Sequence, residues 1–516
     1  VPRGSPSRKE STSLRVTCFM VPLLANRWAV AVPPIWLVGI GALLAALTVV
    51  AAWGVLKLIA PRMADEAQSS LRDGFLGPLV WLVFSLAAIG IALTPAVNVE
   101  QIGRSLTRLL FSTTTSNTSF VAGPKVKLEK FLLEIRPQEI EELTLEASGP
   151  LTVRTAQPIE GFALVKLPDL DLSPNIPWKW SKAKGDTSPF IGTRAELELT
   201  NESDTPITLL VKSRVTPEYP QTAILPWTWL VLVLVVAAYS LLRLIPRRVA
   251  AVASATTKEA IGQPIFSVAL IAGTVLLITF IVIPYNTFGE DVKMLKDSGL
   301  TLVKVLALLV VVWSASVSVA EEIEGRTALT VLSKPINRRQ FVLGKFAGLI
   351  LVVLLLFLIL GSVLMFTTSL KVVYDAREGA KLDPTWRDCA DEMITVVPGL
   401  VLSLFEAILL AAVSLAVSTR LGMVANLIIC FTVYALGHLV PLIVQSSVGK
   451  FAIVRFVGQL FATILPVLEH FTIEAAVVGG IPVPWSYLAW AALYAGLYST
   501  VAILVALVLF QDRDLA

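Results

Sequence analysis

"AEEIEGRTALTVLSKPINRRQFVLGK", residues 320–345, lies between two long apolar runs, and its reading decides how the chain is organised. It packs three carboxylates (Glu321, Glu322, Glu324) and five cations (Arg326, Lys334, Arg338, Arg339, Lys345) into one connection. Carried inward from the preceding run, "SVAEEIEGRTALTVL" has helix formers with apolar residues at Ile323, Leu329 and Leu332. Pro335 disfavours helix at Lys334 and marks a turn. Asn337 is placed to cap a new helix, with Gln340 at the capping-box position three residues on. The predicted picture is helix, tight turn, then an amphipathic helix running through "RRQFVLGKFAGL" into the next apolar run. Basic residues beside a span are ordinary topology determinants, and a glutamate cluster can simply be solvated. An acidic cluster between two capped segments is more than a topology signal requires.

Working outward, composition sets the class. The chain has 516 residues, 55% hydrophobic and 16% charged, with mean hydropathy +0.76. A soluble globular chain carries about 25% charge. The net charge of +4 leaves no electrostatic footprint for nucleic acid. Cys18, Cys389 and Cys430 are widely spaced, and Cys430 sits inside an apolar run, against a disulfide framework or a zinc site. His438 and His470 are too few for most metal constellations.

A spanning helix needs about 20 mainly apolar residues. Nine runs qualify: 35–58, 76–97, 226–245, 266–285, 300–320, 343–367, 397–417, 423–444 and 485–510. A further stretch, about 451–480, is broken by Arg455, Pro466, Glu469, His470 and Glu474, and reads as a re-entrant hairpin entering from one side. Residues 98–224 differ in character. Runs such as "KVKLEKFLLEIRP" and "AELELTNESDTPITLLVKSRV" alternate with period two between turn residues, which predicts a small antiparallel β-sandwich. The "WKWSKAKGD" segment reads as turn packing, with an exposed aromatic pair as the alternative.

Orientation follows from Lys and Arg in the short loops. Arg243, Arg247, Arg248 and Lys258 follow the third run, and 320–345 is rich in cations, whereas 286–299 and 368–395 lean acidic. That places 320–345 and the C-terminus in the cytoplasm and 98–224 outside, in a cell membrane. Nine spans then put the N-terminus outside, which suits its basic tail poorly. The opening "VPRGS" matches the end of a thrombin cleavage site, so residues 1–19 read as a vector-derived scar or a wrongly extended start.

The charged connection resembles the cytoplasmic loop of bacterial ABC-2 type transporter permeases, whose pattern runs acidic-E-x-G-T-x-x-x-L-L-x-x-P-x-x-R-x-x-x-x-x-G-K. Glu322, Glu324, Gly325, Thr327, Leu332, Pro335, Arg338, Gly344 and Lys345 match it. Arg326 is inserted after Gly325, and Val331 stands in place of the first Leu. "ATTKEAIGQPIF", residues 255–266, is similar to the amphipathic elbow before the family's first core helix. The resemblance covers about 250–516 and implies a six-helix core at 249–516, with an elbow helix at 250–264, six spans and the hairpin. Residues 20–97 (two spans), 98–224 and 225–248 (a third span) are then additions to that core. It implies that Glu321, Glu322, Glu324, Gly325, Arg326, Thr327, Pro335, Arg338, Arg339 and Lys345 form a loop coupling the membrane helices to a separate ATPase subunit.

No G-x-x-x-x-G-K-[ST] occurs, so ATP and Mg would be held by that other chain, with no cofactor and no metal site in this one. No nucleophile elbow or HExxH stands out, and the chain itself reads as not an enzyme. Polar residues inside spans are functional candidates by default. Glu406, Asn426 and His438 are the candidates for a substrate path, Glu406 also for a proton role or for plain packing. Lys304 is expected to snorkel to the interface. The expected function is the permease subunit of an ATP-driven exporter, paired as a homodimer or heterodimer with another permease in the bacterial inner membrane. The alternative is a mechanotransmission complex that relays ATPase motion to the external domain with nothing crossing.

Overall fold

The computed structural model describes residues 28–59, 61, 75–111, 115–126, 129–133, 139–154, 170–174, 176–181, 195–244, 247–283, 285, 290–321, 336–379, 383–445, 451, 453, 456–458, 460–461, 465–472, 479 and 483–511. Residues 322–335 of the charged connection and just under half of the 451–480 stretch, read from the sequence as a hairpin, lie outside them. The chain divides into two compact units, one of Val1–Val97 with Ile224–Ala516 and one of Asn98–Ala223. Among the described residues, nine helices are long and apolar enough to cross a membrane. The protein is a polytopic, mainly helical membrane protein with an inserted β-containing region.

The membrane unit opens with α1 (Val32–Ile59) and α2 (Leu76–Leu93). They cross at Gly39 and Gly90, where a Cβ on either residue would meet the other's backbone at 2.6–2.7 Å. Small residues at such a crossing let apolar helices approach closely, since lipid supplies no hydrophobic drive between them. Among the described residues of the inserted unit, α3 (Val99–Phe111) precedes eight strands. These are β1 (Thr115–Ala122), β2 (Glu129–Leu133), β3 (Ile140–Ala147), β4 (Leu151–Arg154), β5 (Leu170–Leu172), β6 (Trp178–Ser181), β7 (Ala195–Thr200) and β8 (Ile207–Val215). They form two four-stranded antiparallel sheets, ordered β1-β8-β3-β6 and β2-β7-β4-β5. Alternation sends Leu143, Leu145, Leu209 and Val211 of the first sheet and Val153, Leu197 and Leu199 of the second into one buried cluster. The "WKW" stretch is the strand β6 and not a turn: Trp180 is buried in that cluster and Trp178 packs against it.

After α4 (Ile224–Leu244) come α5 (Arg247–Gly262), α6 (Pro264–Val282), α7 (Asp291–Ala315), α8 (Arg338–Glu378), α9 (Trp386–Ser418), α10 (Met423–Gln445) and α11 (Trp485–Gln511). Pro at the first position of α6 suits a helix start, where its missing N–H costs nothing. Both α8 and α9 begin with capping boxes, Asn337 with Gln340 and Thr385 with Asp388. The apolar faces of α7 and α8 make the centre of the unit, with Val303, Ala307, Val310, Leu356 and Leu360 fully buried.

Three helices outrun their apolar stretches. The acidic connections 286–299 and 368–395 read as loops, yet α7 begins at Asp291, α8 continues to Glu378 and α9 begins at Trp386. At 41 residues α8 is about 60 Å long, twice the hydrocarbon thickness of roughly 30 Å. Some of the charges that suggested loops are paired between helices. Lys296, fully buried on α7, bonds Glu392 and, at 2.6 Å, Thr395 of α9.

Candidate functional site

Glu406, at mid-length of α9, is fully buried. Lys304 of α7 brings Nζ to 4.0 Å from its Oε2, and His438 of α10 brings Nε2 to 3.5 Å from its Oε1. Three helices thus meet on one carboxylate. Lys304 does not reach the interface: its side chain is 4% exposed, turned inward to the acid. A carboxylate at mid-membrane costs roughly 2.5–3.5 kcal/mol on insertion scales, and a cation facing it offsets that cost. His438 is the most exposed member, at 21%, with the Tyr434 ring tilted against its own at a centroid distance of 4.7 Å.

Asn426 is not part of this cluster. Its Nδ2 donates to Ser316 Oγ at 2.7 Å and to Ser414 Oγ at 2.8 Å, and its Oδ1 accepts from Cys430 Sγ at 3.3 Å. Ser316 opens a π-helical segment, Ser316–Glu321, at the end of α7. The amide therefore ties α9 and α10 to the point where the helix leaves its regular winding, just before the charged connection.

At that connection, the described part is the start of α8. Arg338 does not project freely. Its Nη1 donates to the carbonyls of Phe510 at 3.0 Å and Gln511 at 2.7 Å, capping the end of α11, where a cation complements the helix dipole. Phe341 stacks on Phe510 at 5.6 Å beneath it. Lys345 is 4% exposed and lies 3.7 Å from Glu259 of α5. Arg339 is exposed. Glu322, Glu324, Gly325, Arg326, Thr327 and Pro335 lie outside the described residues, as does the side chain of Glu321.

The helix α5 locks onto α8. Its buried stripe, Val252, Ala253, Thr256, Thr257 and Ala260, has helical spacing and faces Gly344 and Gly348. A Cβ at Gly344 would meet Val252 Cβ at 2.6 Å, and one at Gly348 would meet Ala253 O at 2.8 Å. Thr257 Oγ1 donates across the seam to Gly348 O at 3.1 Å.

Sequence reasoning also missed the buried cation Lys371. Lys371 of α8 is fully buried and donates to the carbonyls of Ile281 and Ile283, each at 3.1 Å, capping α6. Asp291 Oδ2 lies 3.4 Å away, and the rings of Tyr285 and Tyr374 flank the ammonium at 5.4 and 5.0 Å. Burial pushes the Tyr285 phenol above its ordinary value, against a hydrogen bond with Ser298 that lowers it, while Asp291 adds to the rise. The signal was present in "TTSLKVVYDARE", where apolar residues keep a helical spacing past the lysine. No protein-family model matches the chain, and no curated protein matches its sequence.

Proposed function

We propose that this chain is the permease subunit of an ATP-driven transporter of ABC-2 type, exporting substrate with ATP and Mg held by a separate ATPase subunit at the cytoplasmic face. The observation that supports this most is the clasp of α5 on the first turns of α8. An amphipathic helix locked by glycine contacts to the helix that follows the charged connection makes a stiff unit, suited to passing motion from a soluble motor into membrane helices. Capping at Asn337 and the bond from Arg338 to the end of α11 add to that stiffness. The six long apolar helices among the described residues after α5 agree with a permease core, which would work as a pair of such chains. Loop charge favours 98–224 on the outer face, where its two sheets would form the layers of a β-sandwich.

One observation favours the relay reading, in which ATPase motion reaches the outer domain and nothing crosses. Glu406 and Lys304, the charges best placed for a substrate path, face each other inside one chain. The test common to both readings is a photo-crosslinking residue in place of exposed Arg339, used in native membranes. Capture of an ATPase subunit is expected. Capture of lipid and permease alone overturns both.

A further inference from the structure

The cluster around Glu406 restricts where protons can sit. His438 Nδ1 lies 3.0 Å from the carbonyl oxygen of Tyr434, one turn earlier on α10. A carbonyl only accepts, so Nδ1 carries hydrogen while that contact lasts. The other ring nitrogen, Nε2, lies 3.5 Å from Glu406 Oε1. It then holds either a second hydrogen or a lone pair turned toward the fully buried carboxylate, and two lone pairs facing each other there repel. One proton on Nε2 or on Oε1 removes the mismatch. Lys304, on the far side, neutralises the carboxylate when that proton is absent.

Among the described residues, the charged and titratable groups on the neighbouring elements are as follows. Between Lys345 and Lys371, α8 carries no acid or base. From α11, Tyr494 and Tyr498 join the apolar cluster on Leu402, Leu409 and Leu410 of α9. A short turn, Leu468–Phe471, sets Leu468 against Gly437 and carries Glu469 and His470, the latter edge-on to Tyr494 at 5.6 Å. From α7 the facing group is Lys304, and from α10 it is His438 itself.

We propose that Glu406 and His438 form a mid-membrane binding site for one exchangeable proton, held between Oε1 and Nε2 and reached through the partly exposed imidazole. The proton supplies the hydrogen bond that fastens α10 to α9 at this depth. With the proton gone, the contact loses its donor, and α10 is held to α9 by the Asn426–Ser414 bond nearer its start. The site is independent of the transporter assignment, because it needs no partner chain.

The test uses the two histidines of the sequence. The full chain, labelled with ¹⁵N-histidine in phosphatidylethanolamine–phosphatidylglycerol nanodiscs, gives two ring systems, and His470→Gln assigns them. From about pH 5 to pH 9, the range that brackets ordinary histidine titration, Nε2 of His438 should titrate while Nδ1 stays protonated. Glu406→Gln should weaken proton binding at that ring roughly tenfold or more, as expected for losing a negative charge within 4–6 Å, and leave His470 unmoved. Glu406→Asp, which withdraws the carboxylate, should weaken it too, and serves where the amide variant does not fold. A His438 ring that shows no titration in this range, or one that titrates alike in wild type and both variants, overturns the proposal. Failure here leaves the ATPase cross-link untouched, and failure of that cross-link leaves this site standing.

Discussion

At the scale of single residues, several of the described buried charges are set against an opposite charge on another helix. Lys304 with Glu406, Lys371 with Asp291 and Lys296 with Glu392 all join different helices. Removing one member of a buried pair strands the other, at a cost of about 3–5 kcal/mol, whereas removing both can be nearly neutral. Lys304→Met and Glu406→Leu should each lower thermal stability in nanodiscs, and the double variant should lose less than the sum of the two. Strict additivity would mean that the pair does not interact. Arg338 and Arg339 are neighbours with different tasks. Arg338→Glu sets an acid against the last carbonyls of α11 and should destabilise the fold by about 1 kcal/mol or more. Arg339→Glu, on an exposed position, should leave stability within about 0.5 kcal/mol and reduce only the association with an ATPase subunit.

At the scale of elements, the seam between α5 and α8 has no room for a side chain. Gly348→Leu must displace Ala253 O and Thr256, and overpacking of this kind costs about 1–3 kcal/mol. The variant should insert normally, melt earlier and fail to transmit ATPase activity, as measured in a reconstituted complex. Gly54→Ala on α1, where an added Cβ meets nothing within 4 Å, is the control and should be neutral or slightly stabilising. Unchanged stability in Gly348→Leu would show that α5 does not rest on α8 in the membrane. The capping box at Asn337 was legible from Gln340 three residues on, because capping is a local matter. The outer turns of α7, α8 and α9 were not. Charge reads as loop when its partner lies far along the chain, as Glu392 lies from Lys296.

At the scale of the whole molecule, sidedness is the property most open to a direct test. A membrane-impermeant thiol reagent on intact cells, in a Cys18→Ser background, should label Ser173→Cys in the inserted unit and spare Ala255→Cys on α5. Both positions are exposed within their own unit, and Cys389 and Cys430 are buried, so neither native thiol competes. The reverse pattern would invert the topology and remove the ATPase-facing role of 320–345.

What the sequence determined by itself was everything carried by local pattern. Apolar runs of spanning length showed a polytopic chain, period-two alternation marked the β-rich insert, and Asn337 with Gln340 marked a helix start. Each depends on residues within a few turns of one another. The tertiary structure decided which polar residues belong together. It paired Glu406 with Lys304 and His438, sent Asn426 to Ser316 and Ser414, and turned Arg338 and Lys345 inward onto α11 and α5. No local rule contains these choices. In a medium without water a buried charge must find its partner on whichever helix packs beside it, and packing is settled by the whole bundle at once.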